Sequence, residues 1–486
     1  MPVGIFHRRQ FIICGHPVKR KDFFTRELAG GFFLSYHKEL LLRCCPAACG
    51  GEAILLGTAV CTDENSNPMD RLAAVRDFET LCDAAYFFSG RWTIIWNGHI
   101  LSDPCSLSCL FYGEEEPVVS SSLALIADCF AQYRPVDGAQ ELVQGQLPDW
   151  DISPLTRLRG VRRAFSNQYL LLRESKLEIA RYEPLHPERY ACMPIEQIVS
   201  RLVAGFDCFF TNAASIWNEI VIPMTAGVDS RTLFTLAKHS GTDFSTVTLE
   251  HEMPVSDRKV PESISRITGV PHRFIAAGQP DPGRLEIWRG HTAGACMSED
   301  AYFWATAQYD EIPTGSLLVR GNVWEAFSLY WRWRFAAADR RGDILSSARA
   351  SLSGLDGASF SHWVDWWLED KGPFTDWRDA MYFHQRQCCW LGYIEQSLDL
   401  LDCDHIVPLD CAYLMSMVLS LPESIREGKK YQKEIISALS PEISGIPYNA
   451  LTFQEFSAKY LAQLRKFRSL KDVRNAVVGY FRRSRL

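Results

Sequence analysis

The sequence predicts an α/β protein in two parts: a β-rich first part, then a doubly wound second part with helices on both faces of a parallel sheet. Three observations point that way. Short β-rich segments separated by turns fill the chain from Ile5 to about Arg181. After Met193, segments of strand and helix character alternate, the pattern of parallel βαβ winding. Within that second part, Glu219 to Leu233 runs from β-branched apolar residues through a cluster of small ones into a helical pattern. A chain of 486 residues, 47% hydrophobic and 22% charged, is long enough for two domains and can bury a large core.

In the first part, Gly31–Tyr36, Ala53–Gly57 and Trp92–Gly98 read as strands, and Asn97-Gly98 is a hairpin turn signal. Asp70 to Tyr86 reads as one helix. Ile100–Pro104 and Leu110–Tyr112 follow as strands, Val118–Ile126 runs into a helix start, and Leu158–Leu172 ends in another strand. Arg181-Tyr182-Glu183-Pro184 then opens a linker.

The second part begins with Met193 to Trp217, whose Ile195, Ile198, Leu202, Phe206 and Phe209 lie at helical spacing. Ile220–Pro223 is a strand that stops at Thr225-Ala226-Gly227-Val228-Asp229-Ser230. Such a turn aligns backbone N–H groups that have no partner inside the following helix, and the helix dipole adds partial positive charge. An anion fits there: Thr225, Ala226 and Gly227 are small enough for phosphate oxygens to reach the backbone. Asp229 supplies a hard oxygen ligand for the Mg²⁺ a polyphosphate carries. The plainer reading, an ordinary strand-to-helix turn with a capping residue, stays open. Phe244–Leu249 is a second strand, Ser256–Gly269 a helix and Arg273–Ile275 a third strand. Ligands of open parallel sheets sit at the carboxyl ends of the strands, which makes Thr248 and Leu249 candidates for an adenine edge. Gly315–Tyr330 reads as a strand, a small turn at Gly321 and an aromatic-rich helix. Trp324, Trp331, Trp333, Trp363, Trp366, Trp367, Trp377 and Trp390 crowd the sequence from there on, mostly as core, with room for one or two to line an acceptor pocket.

Thr225-Ala226-Gly227-Val228-Asp229-Ser230 resembles the pyrophosphate loop S-G-G-x-D-S of N-type ATP pyrophosphatases, with the first two positions changed conservatively. The rest of the chain resembles asparagine synthetases in motif order. A G-R-W segment begins at Gly90, Asp103-Pro104 and Ser120 to Ser122 follow, and an R-Y-x-P linker starts at Arg181. The resemblance implies an Ntn-hydrolase-like αββα sandwich over 1–186, an ATP-pyrophosphatase (adenine nucleotide α-hydrolase-like) domain over 187–458 and a basic tail over 459–486. The family's first half uses a cysteine freed at position 2 as nucleophile. Here position 2 is Pro2, so glutamine hydrolysis is not expected and this half becomes a packing partner or lid. In the family segment S-G-x-G-A-D-E-L-F-x-G-Y, Glu325, Phe327 and Tyr330 match E, F and Y, whereas Trp324 stands where the second metal-binding aspartate would be. An indole cannot ligate Mg²⁺. Either Glu325 takes over, or cations such as Arg320 and Arg231 hold the phosphates, or the site is weakened. His405–Met415 resembles the R-x-P-F-L-D segment, with Asp410 expected to cap the next helix. The family's catalytic lysine is absent from Pro447-Tyr448-Asn449-Ala450, which leaves Lys429, Lys430 or Lys433 to substitute from the preceding helix.

The expected activity is that of a ligase requiring ATP and Mg²⁺, in the family's glutaminase-deficient branch, where β-lactam synthetases and lasso-peptide cyclases are similar cases. It would adenylate a carboxylate of a small-molecule or peptide substrate and join it to an amine, with AMP and pyrophosphate as products. The acceptor preference would be set in Ala337–Pro373. A catalytically silent ATP-binding or docking relative is the alternative, and tRNA modification a third reading. A net charge of -7 argues against general nucleic-acid binding. The tail, with Arg465, Lys466, Arg468, Lys471, Arg474, Arg482, Arg483 and Arg485, reads as a solvated helix or as a docking surface for an acidic carrier domain, RNA or anionic lipid. A homodimer is among the assemblies the sequence allows. Sixteen cysteines without zinc-ligand spacing fit buried thiols in a reducing compartment. Charges through Met1–Arg20 and the lack of an 18-residue apolar run fit a cytoplasmic protein without signal peptide or spanning helix.

Overall fold

A computed structural model describes residues 7–64, 66–134, 154–174, 176–250, 254–276, 282–295, 311–330, 332 and 371–449. Pro2, Trp331, Trp333, Trp363, Trp366, Trp367, most of 337–373 and the basic tail lie outside them.

The first half is built on two six-stranded antiparallel sheets. One runs, in spatial order, Val161–Arg163, Phe111–Gly113, Val119–Ser120, Phe11–Cys14, Phe33–His37 and Phe23–Glu27. The other runs Lys176–Arg181, Gln168–Arg173, His99–Ser102, Trp92–Trp96, Glu52–Gly57 and Leu42–Pro46. Alternation along the strands explains the layering. Phe11, Ile13 and Leu34 of the first sheet pack against Ile54, Leu56, Ile95 and Ile100 of the second. Trp92 and Ile94 point the other way, onto a cluster that includes Leu72 and Leu81 from two short helices. The Trp96↔His99 pairing leaves Asn97-Gly98 as a two-residue hairpin loop, with φ of 46° and 78° as a turn of mirror-image hand requires.

The single helix expected over Asp70–Tyr86 is two, Pro68–Ala73 and Phe78–Ala85. Asp77 accepts from the Thr80 amide at 2.8 Å while Thr80 Oγ1 accepts from the Asp77 amide at 3.0 Å, and this capping box starts a new helix where an uninterrupted one was read.

The second half is a five-stranded sheet, parallel throughout, in the order His272–Ala276, Ser245–Glu250, Ile220–Pro223, Leu317–Val319 and Asp404–Ile406. Helices Ile195–Ala214, Val228–His239 and Val255–Thr268 accompany it, the last stopped by Gly269 in a left-handed conformation (φ 74°). The aromatic helix expected after Gly321 is, among described residues, one 3₁₀ turn, Trp324–Phe327. Among the described residues no helix is long and apolar enough to cross a membrane.

The two halves share one core: Ile12, Phe111 and Leu125 belong to the same apolar cluster as Phe206, Phe209, Leu414 and Met415. The backbones meet at Gly90, which has φ 114° and whose amide donates to the Asp410 carbonyl at 2.9 Å; a β-carbon there would collide with Ile406. Asp410 does not cap the following helix. Cys411 stands at the N-cap without a side-chain bond, and Asp410 Oδ1 accepts instead from the Cys105 amide of the first half at 2.9 Å.

Candidate functional site

Ile220–Pro223 is the central strand of the parallel sheet, so the turn after it opens at the sheet's carboxyl edge, between the neighbouring strands Ser245–Glu250 and Leu317–Val319. The turn is closed by its own polar residues. Ser230 Oγ receives the Thr225 amide at 3.2 Å and lies 3.0 Å from Thr225 Oγ1, which accepts from the Gly227 amide at 3.2 Å. Gly227 is the N-cap of helix Val228–His239 and leaves its first turn without a side-chain cap. Its φ of −74° is open to any residue, and a β-carbon there would stand 3.2 Å from Thr225 Oγ1 and 3.7 Å from Asn449 Oδ1. The Ala226 amide donates to a carboxylate: Asp257 Oδ1, in the first turn of Val255–Thr268, at 2.7 Å.

Asp229 sits at the mouth of the turn with both oxygens engaged. Lys429 Nζ binds Oδ2 at 2.5 Å and Gln432 Nε2 binds Oδ1 at 3.0 Å while also reaching Thr232 Oγ1 at 3.3 Å. Lys429 is held in a left-handed conformation (φ 58°) directly after Gly428 (φ 67°), a bend that turns its side chain onto the neighbouring helix. Lys433, one helical turn on, has its ammonium 5.8 Å from the Tyr448 ring. Partial burial, then the charges of Lys429 and Lys430, lower its pKa. Lys430 turns away and donates to the Ser424 carbonyl at 2.9 Å.

Arg231 is not available to a ligand. It is fully buried and clamps the turn to the segment beyond the last described helix, donating to the carbonyls of Ala226 (2.7 Å), Ile446 (2.7 Å) and Pro447 (2.5 Å) under the Tyr448 ring. Burial pushes its pKa down to about 10. The Asn449 amide adds a bond to the Ala226 carbonyl at 3.1 Å. Arg320 is likewise committed. It pairs with buried Glu395, which also accepts from His405 at 2.7 Å, and burial, which would raise the Glu395 pKa, is outweighed by these two partners. Gly321 does reach the site: a β-carbon on it would stand 3.4 Å from the Asp229 carbonyl oxygen, so the chain passes close over the first helical turn.

Glu325 accepts from Tyr382 Oη at 2.6 Å, and burial followed by the Glu325 charge raises the tyrosine pKa well above its usual value. Tyr382 opens a π-helical stretch, Tyr382–Trp390, a winding common at functional sites. Trp324 is a core residue, 1% exposed and stacked on Phe206 at 5.5 Å. At the edge proposed for adenine, Thr248 spends its hydroxyl on the Met224 carbonyl at 2.6 Å and Leu249 is buried among Val221, Val247 and Ile275.

A resident divalent cation has a poor fit. Both Asp229 oxygens and one of Glu325 are already hydrogen-bonded, and among the described residues no group of three or more His, Cys, Asp or Glu could hold a metal. The structure thus brings Thr225, Ala226, Gly227, Asp229, Ser230, Gly321, Lys429 and Lys433 around one turn. It turns Arg320 and Lys430 elsewhere and uses Arg231 as a clamp.

Gln432, Asp257 and Asn449 escaped the reading of the sequence. Gln432 was within reach, three residues after Lys429 and on the same helix face; Asp257 and Asn449 arrive through tertiary packing and leave no local signal. Comparison with protein-family models and with curated proteins gives no match for this chain.

Proposed function

We propose that the turn Thr225–Ser230 seats the polyphosphate of ATP, and that the protein is an AMP-forming, amide-synthesising ligase of asparagine synthetase type. One observation carries the reading. A small-residue turn lies at the carboxyl edge of a parallel sheet, its Ala226 amide already engaged by a carboxylate oxygen and a lysine ammonium 2.5 Å from Asp229. The first half fits an Ntn-hydrolase-like sandwich serving as a partner surface, and the second an ATP-pyrophosphatase sheet.

In this reading a substrate carboxylate attacks the α-phosphorus of ATP and pyrophosphate leaves; an amine of a small-molecule or peptide substrate then takes the acyl group, with loss of AMP and a proton. Backbone amides of the turn orient the leaving phosphates. Lys429, released from Asp229, and Lys433 neutralise charge as it develops. Mg²⁺ would arrive on the nucleotide, and no step here depends on a protein-held ion. Glu325, which accepts from Tyr382, would serve as an acceptor for a proton or cation.

The test is pyrophosphate release with a panel of carboxylates and amines. Wild-type protein releases it with at least one pair, and Lys429→Ala slows release about 100-fold, the size of one lost electrostatic contact to a transition state. Equal release from wild type and Lys429→Ala contradicts the assignment. The second reading, a silent nucleotide holder, draws on the engagement of Asp229 by Lys429 and of the Ala226 amide by Asp257. It requires nucleotide binding with no AMP formed from any pair.

A further inference from the structure

We propose that Asp257 is an internal competitor for the anion seat, a carboxylate that the incoming polyphosphate must displace and that thereby sets nucleotide affinity. The inference rests on the nucleotide reading of the turn and adds to it a residue outside the turn's own sequence.

Asp257 Oδ1 lies 2.7 Å from the Ala226 nitrogen, the distance and donor type with which a phosphate oxygen would be bound. Ala226 is fully buried, so its N–H is a donor that must be satisfied when no ligand is present, and Asp257 satisfies it. A neutral acceptor would do the same. A carboxylate in addition places negative charge where the phosphates would lie, and the two cannot share one hydrogen.

Release of Asp257 has a soft landing. The side chain is half-buried and sits in the first turn of the fourteen-residue helix Val255–Thr268, whose dipole favours a negative charge there whether or not the Ala226 bond is made. Arg258, beside it, is occupied by Glu250 at 3.0 Å and does not hold the carboxylate in place. Arg231 is the cation on the other side, and it stays fixed by three carbonyls. Both carboxylates at the seat are therefore held by contacts a polyphosphate can replace: Asp229 by a lysine and a glutamine, Asp257 by one amide and the nearby charge of Arg231. A purely structural role, in which Asp257 fastens its helix to the turn, has the opposite consequence, because loosening that helix would spoil the seat.

The experiment is calorimetric titration of full-length wild type and Asp257→Asn with Mg·AMPCPP, an ATP analogue that cannot be cleaved between its α- and β-phosphates. Asparagine keeps an oxygen for the Ala226 amide and removes the charge. The competitor role gives Asp257→Asn about tenfold tighter binding, the fold-change of one charge-assisted hydrogen bond no longer in competition. Equal or weaker binding by a folded Asp257→Asn overturns the inference and leaves the nucleotide reading standing. Binding by neither protein overturns both. Hydrogen exchange on the wild type needs no variant. With the analogue bound, the helix amides of residues 258–260 lose protection as the tie of their helix to the turn is released, whereas unchanged or greater protection in the bound protein overturns displacement.

Discussion

In the proposed function, Lys429 is the side chain on which the chemistry turns. Its ammonium is 2.5 Å from Asp229 Oδ2, its backbone is left-handed, and Gln432 holds the other oxygen of the same carboxylate. A lysine on an arm this constrained is positioned before any ligand arrives, and positioning is what lets a cation favour a transition state over a ground state. Lys429→Ala is expected to lower kcat for pyrophosphate release about 100-fold. Lys430→Ala, whose ammonium is spent on the Ser424 carbonyl, should change it by about twofold or less. Steady-state rates of the two variants side by side check the assignment, and equal losses would remove Lys429 from it. The sequence offered Lys429, Lys430 and Lys433 as equals because side-chain direction on a short helix depends on the bend before it, and the left-handed Gly428-Lys429 pair is a backbone event without a motif. Arg231 was misleading for a related reason. A charged residue just inside a phosphate loop looks like a ligand group until the segment 446–449 is folded over it.

At the scale of elements, the two halves are joined by a buried carboxyl pair. Asp103, from the loop after strand His99–Ser102, accepts the amides of Leu107 (2.5 Å) and Ser108 (2.8 Å), and Asp410, from the segment after strand Asp404–Ile406, accepts that of Cys105. Both are fully buried. Burial raises the pKa of each, and for Asp410 the neighbouring Asp103 charge raises it further, well above the ordinary carboxylate range. The sign follows from proton binding. A carboxyl whose pKa is higher folded than unfolded keeps its proton in the native state, so its stabilisation is complete below the unfolded value near 3.8 and is lost as pH climbs toward the folded value. Asp410→Asn keeps an oxygen for Cys105, supplies a permanent donor toward Asp103 and removes that loss. It is expected to raise stability at pH 7 and to flatten the fall as pH climbs above the unfolded value. Urea unfolding across that range measures it, and a less stable variant at pH 7 with an unchanged slope would contradict the shared-proton account. From the sequence Asp410 looked like a helix cap, because a polar residue just before an apolar helix is the local signature of one; its true partner is 305 positions away.

For the whole molecule, the βαβ alternation and the Asn97-Gly98 hairpin were legible in the sequence because they are local signals, whereas strands such as Phe11–Cys14, Phe23–Glu27 and Leu42–Pro46 were not picked out. Nor was the junction of the halves. Arg91 meets Asp399 in a two-pronged pair (2.5 and 3.0 Å), and Asp399, which burial alone would raise, is brought down to about 2 by Arg91 and His405. Nothing in either segment announces the other. This junction and the shared core fix the first half against the helices around the parallel sheet, so the turn at Thr225–Ser230 opens from a frame built by both halves. Whether that turn holds a polyphosphate is decided by the structure of the protein with Mg·AMPCPP bound. Phosphate oxygens are expected within hydrogen-bond distance of the Ala226 and Gly227 amides and of Lys429 Nζ, with Asp257 withdrawn. An analogue bound elsewhere, with Asp257 still on the Ala226 amide and Lys429 still on Asp229, would contradict the nucleotide reading.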